Sequence, residues 1–385
     1  MTITAIRRAA IIRIMMRYLS VYFFFCLLIV VASCNYHESG GSPTVIKCDE
    51  CAPYRQVSEV LDSLSFLVLD GDFNDSPSHV DKALISDSLL CLADYQRQMV
   101  FIYAKDGTRK AVLDRRGRGP GEYVHMQSVC ANDEYLFVMD LFSEKIIAYR
   151  FHDLSYSHEL VSPCLAWDFA ALGDGGFLFA YAPTEGAPFV ASDERFRLVV
   201  ADSTMQVKKR MLPYKIEEKD AVVNRAYLRE SGESIVYQSF SDEKIYCIDK
   251  KDGEVSRIYE LSLSSPLPVG VGNQIEMIES KQYSYVTAPP YLLGEDMILE
   301  LSIKSRSRLL MYEADSATFY ANPEDCLYLM GLIGSDEENL YAYWPGELFY
   351  DAFVKSTGLR AAPDIERSIL NGSPYIVIYS RRTSL

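Results

Sequence analysis

The chain has 385 residues, of which 49% are hydrophobic and 12% aromatic, and its 38 basic and 53 acidic side chains give a formal net charge of −15. This length and apolar fraction allow a large core, either in one all-β domain or in two or three smaller domains. The acidic balance, without a long basic run, argues against a nucleic-acid partner or an anionic lipid surface, and solubility is the simpler explanation for it.

Residues 1–33 are predicted to be an export leader. They contain four arginines and no acidic residue, and an apolar run extends from Leu19 to Ala32. A run of about 14 residues suits the core of a signal peptide better than a membrane-spanning helix. Its end, Val31-Ala32-Ser33-Cys34, resembles a bacterial lipobox, which implies that Cys34 becomes the lipid-modified first residue of the mature chain. The alternative is an ordinary secretory leader, and translation could begin at Met15 or Met16.

Residues 34–55 are predicted to form a flexible tether, because they begin with a polar stretch that contains Gly40-Gly41-Ser42-Pro43. No dense acidic run follows Cys34, so the sequence leaves both faces of the outer membrane open. Cys48 and Cys51 form a Cys-x-x-Cys motif, which is a weak metal signal without further ligands, and an exported protein favours a local disulfide there. We expect the four cysteines within strand-like runs to be buried thiols, namely Cys91, Cys130, Cys247 and Cys326.

Residues 56–385 are predicted to form a single six-bladed β-propeller with four-stranded antiparallel blades. Pairs of short apolar strands joined by polar turns recur in six units. The second strand of each pair ends about 46 to 67 residues after that of the previous pair, near the ~40–50 residues of a blade. Those ends are Tyr103, Tyr149, Asp202, Asp249, Tyr312 and Tyr379. We expect a strand within Val57–Asp70 to close the ring by pairing with strands of the last blade near Tyr375–Tyr379, which removes the open edge. A β-sandwich is the alternative, and the best helical pattern is Asp364–Leu370.

The densest turn-forming stretch is Gly117-Arg118-Gly119-Pro120-Gly121-Glu122-Tyr123, which cannot lie inside a helix or a central strand. We predict a structural loop between blades, in which the glycines supply backbone freedom and Tyr123 packs against the next blade. The arginines at 115, 116 and 118 could clamp a carboxylate or sulfate, but pairing with local acids such as Asp114 and Glu122 is the favoured interpretation.

With the Asp-Gly hairpin before it, this loop resembles the inter-blade loops of NHL-type propellers and, more closely, the six-bladed β-propeller lipoproteins of gut Bacteroidetes. The resemblance includes the lipobox at Cys34, the strand-closing Asp94 and Asp140, and the strand end Ile248–Gly253. The segment Asn371–Ile378 departs from the family, which usually has Asp-Asn-Pro before its closing strand. The resemblance implies a fold and a location in the cell envelope, as an outer-membrane lipoprotein, but no biochemical activity.

No nucleophile elbow, Walker loop or His-Glu-x-x-His motif is present, so we assign no catalytic or metal-binding residue and leave any cofactor unknown. The sequence predicts a binding or interaction module whose partners are the membrane, through the lipid on Cys34, and a glycan, a peptide or a protein. The alternative is an enzyme, either a carbohydrate-active hydrolase or lyase or an NHL-type metal-dependent lyase.

The predicted binding site lies at the mouth of the central channel, where the innermost strands are expected to begin near His125, Ala166, Ala226, Tyr283 and Leu327. These starts are rich in aromatic residues, and rings from five blades would form a stacking platform with Asp168 as its polar anchor. The alternative is that the rings pack between blades. The predicted ligand-binding residues are His125, Trp167, Asp168, Tyr227, Tyr283, Tyr285 and Tyr328.

Overall fold

The computed structural model describes residues 41–48, 52–53, 61–184, 190–191, 194–218, 220, 226–240, 242–268, 274–321 and 327–381. They belong to one compact unit, Gly40–Leu385, which is built from six β-sheets. The predicted leader and Cys34 lie outside the described residues.

Two strands precede the first blade, β1 (Thr44–Lys47) and β2 (Leu61–Val68), and a short 3-10 helix, Phe73–Asp75, follows them. Blade 1 then contains β3 (Lys82–Ile85), β4 (Leu89–Asp94), β5 (Met99–Ala104) and β6 (Arg109–Leu113). Blade 2 contains β7 (Met126–Ala131), β8 (Tyr135–Asp140), β9 (Lys145–Arg150) and β10 (Tyr156–Val161). Blade 3 contains β11 (Asp168–Ala171), β12 (Phe177–Ala180), β13 (Phe196–Ala201) and β14 (Val207–Pro213).

Blade 4 contains β15 (Leu228–Ser231), β16 (Ser234–Tyr237), β17 (Lys244–Asp249) and β18 (Val255–Ser262). A short helix, α1 (Gln274–Glu279), leads to blade 5, which contains β19 (Ser284–Val286), β20 (Tyr291–Leu293), β21 (Asp296–Ile303), β22 (Arg306–Glu313) and β23 (Thr318–Ala321). Blade 6 contains β24 (Leu332–Ser335), β25 (Asn339–Trp344) and β26 (Tyr375–Arg381), with the helices α2 (Glu347–Thr357) and α3 (Pro363–Leu370) between its last two strands.

The predicted six-bladed propeller and its closure are confirmed. The strand β2 pairs antiparallel with β26 from Leu61 to Val68, with Leu64 opposite Tyr379, and so supplies the fourth strand of blade 6. The first strands of successive blades contact one another around the ring, which places them at its centre. Closure removes the unpaired edges that a linear array of sheets would leave.

The tether predicted over residues 34–55 is wrong for residues 44–48 and 52–53. The strand β1 pairs in parallel with the outer strand β18, and Ile46 is buried between blades 4 and 5. Downstream, the carbonyl oxygen of Pro53 accepts a hydrogen bond from the amide of Ala321 on the outer strand of blade 5. This segment therefore joins the rims of two blades. Cys48 is buried here, and Cys51, its predicted disulfide partner, lies outside the described residues.

The innermost strand of blade 5 is interrupted. The strands β19 and β20 pair with opposite halves of β21, and the Thr287 amide continues the ladder by donating to the Glu300 carbonyl. Pro289 and Pro290 follow, and because proline has no amide hydrogen they break the ladder before it resumes at Tyr291. The predicted start near Tyr283 thus corresponds to the first piece of the innermost strand.

The helices of blade 6 extend its apolar core. Tyr350 and Phe353 of α2 are buried, and each ring lies 5.9 Å from the ring of Phe66 on β2. The Tyr350 hydroxyl also accepts from the Ala361 amide and donates to Glu366 of α3, which fixes the two helices together. The helical pattern at residues 364–370 corresponds to α3, whereas α2 was not predicted.

Candidate functional site at the channel mouth

A buried carboxylate, Asp168, joins four blades near the channel. Its Oδ1 accepts from Lys82 Nζ of blade 1 at 2.7 Å and from Ser128 Oγ of blade 2 at 2.6 Å. Its Oδ2 accepts from the amides of Tyr227 and Leu228 of blade 4, both at 2.9 Å. Lys82 also donates to the Phe169 carbonyl, so both charged groups are buried with their hydrogen-bonding capacity used. We call these residues the Asp168 network.

Two further aspartates act within blades 1 and 2. Asp94, at the end of β4, accepts hydrogen bonds from the hydroxyl and amide of Ser78 and from the Arg97 amide. Asp140, at the end of β8, accepts from the Val124 amide and the Ser143 hydroxyl. Each carboxylate therefore ties the segment that enters the innermost strand to the turn after the second strand. The two aspartates quoted for the family resemblance have the same structural role.

The loop at residues 117–123 is stabilised by its own backbone and by Tyr123. The amide of Gly117 donates to the carbonyl of Tyr123, and Glu122 accepts from the Gly119 amide. Tyr123 is fully buried and donates through its hydroxyl to the Gln98 carbonyl at 2.7 Å. Gly121 has φ +70°, and a Cβ there would lie 2.6 Å from the Tyr156 ring, so only glycine fits.

One arginine of this stretch pairs with a local acid, as the favoured interpretation expected. Arg116 pairs with Asp114, with 3.0 Å between Nε and Oδ1, at the surface. The carboxylate of Glu122 is directed into the loop by its hydrogen bond to Gly119. The loop therefore connects blade 1 to blade 2.

The predicted aromatic platform is wrong. Tyr227 is fully buried, and Tyr328 is buried against Tyr379, with ring centroids 4.8 Å apart, so neither can stack on a ligand. Asp168 is fully buried in its own network and is not a polar anchor at the mouth. Tyr227 and Tyr328 precede innermost strands as predicted, and Asp168 begins one, but all three are buried by the packing around them.

The other four predicted residues are half-buried and lie apart. Trp167 stacks on Tyr181 within blade 3, and its Nε1 donates to the Ala182 carbonyl. His125 packs against the exposed Phe142 of blade 2, and Tyr285 packs against Phe240 of blade 4. Tyr283 has no ring contact that brings it to the others. None of the seven residues lines the two cavities described below.

The channel mouth instead contains a small cavity of about 220 Å³, between the innermost strands of blades 1, 4, 5 and 6. It is formed by residues 79–83, by β15 and the residue Ala226 before it, by Tyr291, and by residues 332–334 of β24. Five charged side chains line it, three acidic and two basic: Asp81, Glu230, Glu300, Lys82 and Arg229. The lining therefore carries charges of both signs that nearly balance.

Arg229 and Glu300 carry charges that the described residues leave uncompensated. The guanidinium of Arg229 lies over the Tyr291 ring, 3.4 Å from its centroid, and forms no hydrogen bond or ion pair with any described residue. Burial raises the pKa of Tyr291, so this ring stays neutral beneath the cation. The side chain of Glu300 likewise has no hydrogen-bonding or ionic partner among the described residues. Both line the same cavity, where they can meet a ligand.

Glu230 lies where this cavity meets a second one. It also lines a cavity of about 530 Å³ at the opposite ends of the innermost strands, formed mainly by the first hairpins of blades 1, 2 and 3. Its Oε2 accepts from Lys250 Nζ at 2.6 Å. Burial alone would lower the pKa of Lys250, but the Glu230 carboxylate outweighs it and raises that pKa. Glu230 is thus occupied by an ion pair, unlike Glu300.

Sequence reasoning missed Arg229 and Glu300. The available signal was the pair Arg229-Glu230, which directly follows the apolar residues Ala226-Tyr227-Leu228 and precedes the glycine turn at Gly232. Consecutive charges in an innermost strand must lie at the channel or be paired. Glu300 interrupts the apolar run Met297–Leu301 in the same way.

Among the described residues, no group of three or more histidine, cysteine, aspartate or glutamate side chains could hold a metal ion. None of the helices in this part of the chain combines the length and the apolar composition of a membrane span.

Comparison with known proteins identifies a family and a fold. Residues 33–288 match the model of a family described as 6-bladed beta-propeller. A Bacteroides fragilis structure, described as an exported protein, is 16% identical over 88% of this chain and all of its own, with a TM-score of 0.70. A Bacteroides vulgatus structure from a different family is 11% identical over 84% of this chain and 97% of its own, with a TM-score of 0.49. No curated protein matches the sequence.

Proposed function

Because the chain belongs to the 6-bladed beta-propeller family, we propose that it is a binding module of the cell envelope that takes a ligand at the channel mouth. The ligand classes are those expected from the sequence, a glycan, a peptide or a protein surface. The observation that carries the proposal is the cavity in which Arg229 and Glu300 have no partner among the described residues. Partly buried charges without an ionic partner cost free energy of folding, and a ligand that pairs with them would offset this cost.

The proposed location is the outer membrane, with a lipid on Cys34. The sequence before Cys34 supports this, and a Bacteroides fragilis protein of similar fold is described as exported. Metabolic labelling with a palmitate analogue tests the anchor, with Cys34→Ala as the matched variant. Label in the wild type and none in the variant is expected, and equal label in both contradicts the anchor.

Ligand binding is tested by screening the purified full-length protein in detergent against glycan and peptide arrays, with turnover followed in parallel. We expect saturable binding without turnover, and we expect Arg229→Met to weaken it because the guanidinium is a cation of the cavity that pairs with no described residue. Arg257→Met is the matched control, since Arg257 also contacts a tyrosine, Tyr259, but at the surface. Binding that Arg229→Met leaves unchanged would place the ligand elsewhere, and turnover would favour the enzyme alternative.

A further inference from the structure

The two unpartnered charges also restrict what the cavity can hold. We propose that its ligand is a small zwitterion of the α-amino acid class, with the carboxylate on Arg229 and the ammonium group on Glu300. This inference rests on the proposed function for the same site and replaces the glycan, peptide or protein surface considered there by a smaller class of ligand. It begins from the position of both side chains in one cavity of about 220 Å³.

The size of the cavity suits a small ligand. Pockets for drug-sized ligands measure ~300–1,000 Å³, so a cavity of this volume holds a smaller molecule. Its walls come from four blades of a closed ring. The Asp168 network holds the wall formed by blade 1 in place through Lys82. Enlargement would require the innermost strands to separate.

The charges of the lining argue for a ligand that carries both signs. Lys82 is already paired with Asp168, and Glu230 with Lys250. Asp81 accepts a hydrogen bond from the Tyr95 amide at 2.7 Å. Arg229 and Glu300 remain, one of each sign, so a ligand with only one charge would leave the other side chain uncompensated at partial burial. A guanidinium also matches a carboxylate by two parallel hydrogen bonds.

The tyrosine of the cavity is not available to stack on a sugar. Two described residues with aromatic rings line the cavity, Tyr291 and His79, and the Arg229 guanidinium covers the face of Tyr291 at 3.4 Å. The buried tyrosine therefore presents no free face for stacking on a pyranose. The same stack holds the guanidinium plane in a fixed orientation, which reduces the entropy lost when a carboxylate binds.

The test is isothermal titration calorimetry of the full-length protein with each standard amino acid at millimolar concentrations. Acetate and methylammonium serve as probes that carry one charge each. We expect at least one amino acid to bind saturably and both single-charge probes to bind at least tenfold more weakly. Arg229→Met and Glu300→Gln should each weaken that binding about ten- to hundredfold, as expected for loss of a hydrogen bond to a charged group.

Arg257→Met and Glu295→Gln are the matched controls, since they remove an arginine and a glutamate that pair at the surface. They should leave amino acid binding unchanged. Thermal melts of every variant in the absence of amino acid show that the fold is intact. Arg229→Lys retains the charge without the planar fork and should lose less binding than Arg229→Met.

Several results would overturn the zwitterion assignment. They are no saturable heat with any amino acid, acetate binding as tightly as the best amino acid, or binding that Glu300→Gln leaves unchanged. If amino acids fail but a glycan or peptide from the array screen binds and Arg229→Met weakens it, the ligand class is wrong and the proposed function stands. If neither set binds, both are wrong.

Discussion

Lys82 and Arg229 are both cations beside the same cavity, and they differ in what surrounds them. Lys82 has a carboxylate, a hydroxyl and a carbonyl within reach, and its partner Asp168 accepts from two further amides. Arg229 has the face of one tyrosine. The first arrangement is complete within the protein and joins blades 1 to 4, whereas the second leaves hydrogen-bonding capacity for a ligand. Satisfaction of the charges thus separates a structural cation from the cation that we propose binds a ligand in the same channel.

The largest effect is expected from Lys82→Met. The substitution keeps much of the apolar stem but leaves Asp168 buried without its cation. Removing one partner of a buried ion pair costs about 3–5 kcal/mol of unfolding free energy, measured here by equilibrium urea denaturation. Adding Asp168→Asn should restore part of this loss, because the uncompensated charge is removed. A loss below about 1 kcal/mol for Lys82→Met would show that the Asp168 network does not hold the ring together.

An intermediate effect is expected when Asp94 loses its charge. Burial would raise its pKa, but hydrogen bonds from the Ser78 hydroxyl and from backbone amides outweigh burial and hold the pKa below its ordinary value. A lowered pKa contributes stability that is present above the unfolded-state pKa of about 3.9 and is lost as the pH falls through the folded-state value. Asp94→Asn should therefore cost about 1–2 kcal/mol at pH 7.

The pH dependence checks the cause of this loss. Urea midpoints of the wild type and of Asp94→Asn should differ at pH 7 and converge as the pH falls below about 4, where the wild-type carboxylate also becomes neutral. A difference that stays constant down to pH 3 would mean that shape, not charge, explains the role of Asp94.

The smallest effect on stability is expected from Arg229→Met. The variant loses a cation–π contact worth ~0.5–2 kcal/mol but also removes a partly buried charge with no ionic partner among the described residues. The two changes oppose each other, so the free energy of unfolding should shift by less than about 1 kcal/mol. Urea denaturation of Arg229→Met and Lys82→Met under the same conditions compares the two cations directly. Equal losses of unfolding free energy in both variants would remove the distinction between them.

The sequence predicted the architecture because blade strands are local patterns. Apolar runs bounded by Asp-Gly and Gly-rich turns are visible without knowledge of the neighbours, and the apolar face of Leu61–Val68 identified the closing strand. The strand β1 was missed because Thr44-Val45-Ile46-Lys47 is four residues long and pairs with a strand about 210 positions away. The helix α2 was missed because it interrupts a blade that the repeat predicted to be strands alone.

The candidate site could be predicted less well, because its chemistry depends on contacts between blades. Tyr227 and Trp167 occupy similar places before innermost strands, yet one is fully buried and the other stacks at the edge of its blade. Local sequence does not encode which neighbour covers a ring. For the same reason, the residues around Lys82 and Arg229 in the sequence do not show which of the two pairs with Asp168. That carboxylate lies in another blade and forms an ion pair with Lys82.

The pairing of β2 with β26 has a consequence for how the protein is made. Leu64 pairs with Tyr379, roughly 300 positions later in the chain, so the last sheet cannot form until β26 has been synthesised. Until then β2 remains an unpaired strand able to add to other chains, and the ring stays open at one junction. Closure of the ring is therefore a late event in biogenesis. Truncations that remove β26 should yield aggregates, not a smaller propeller.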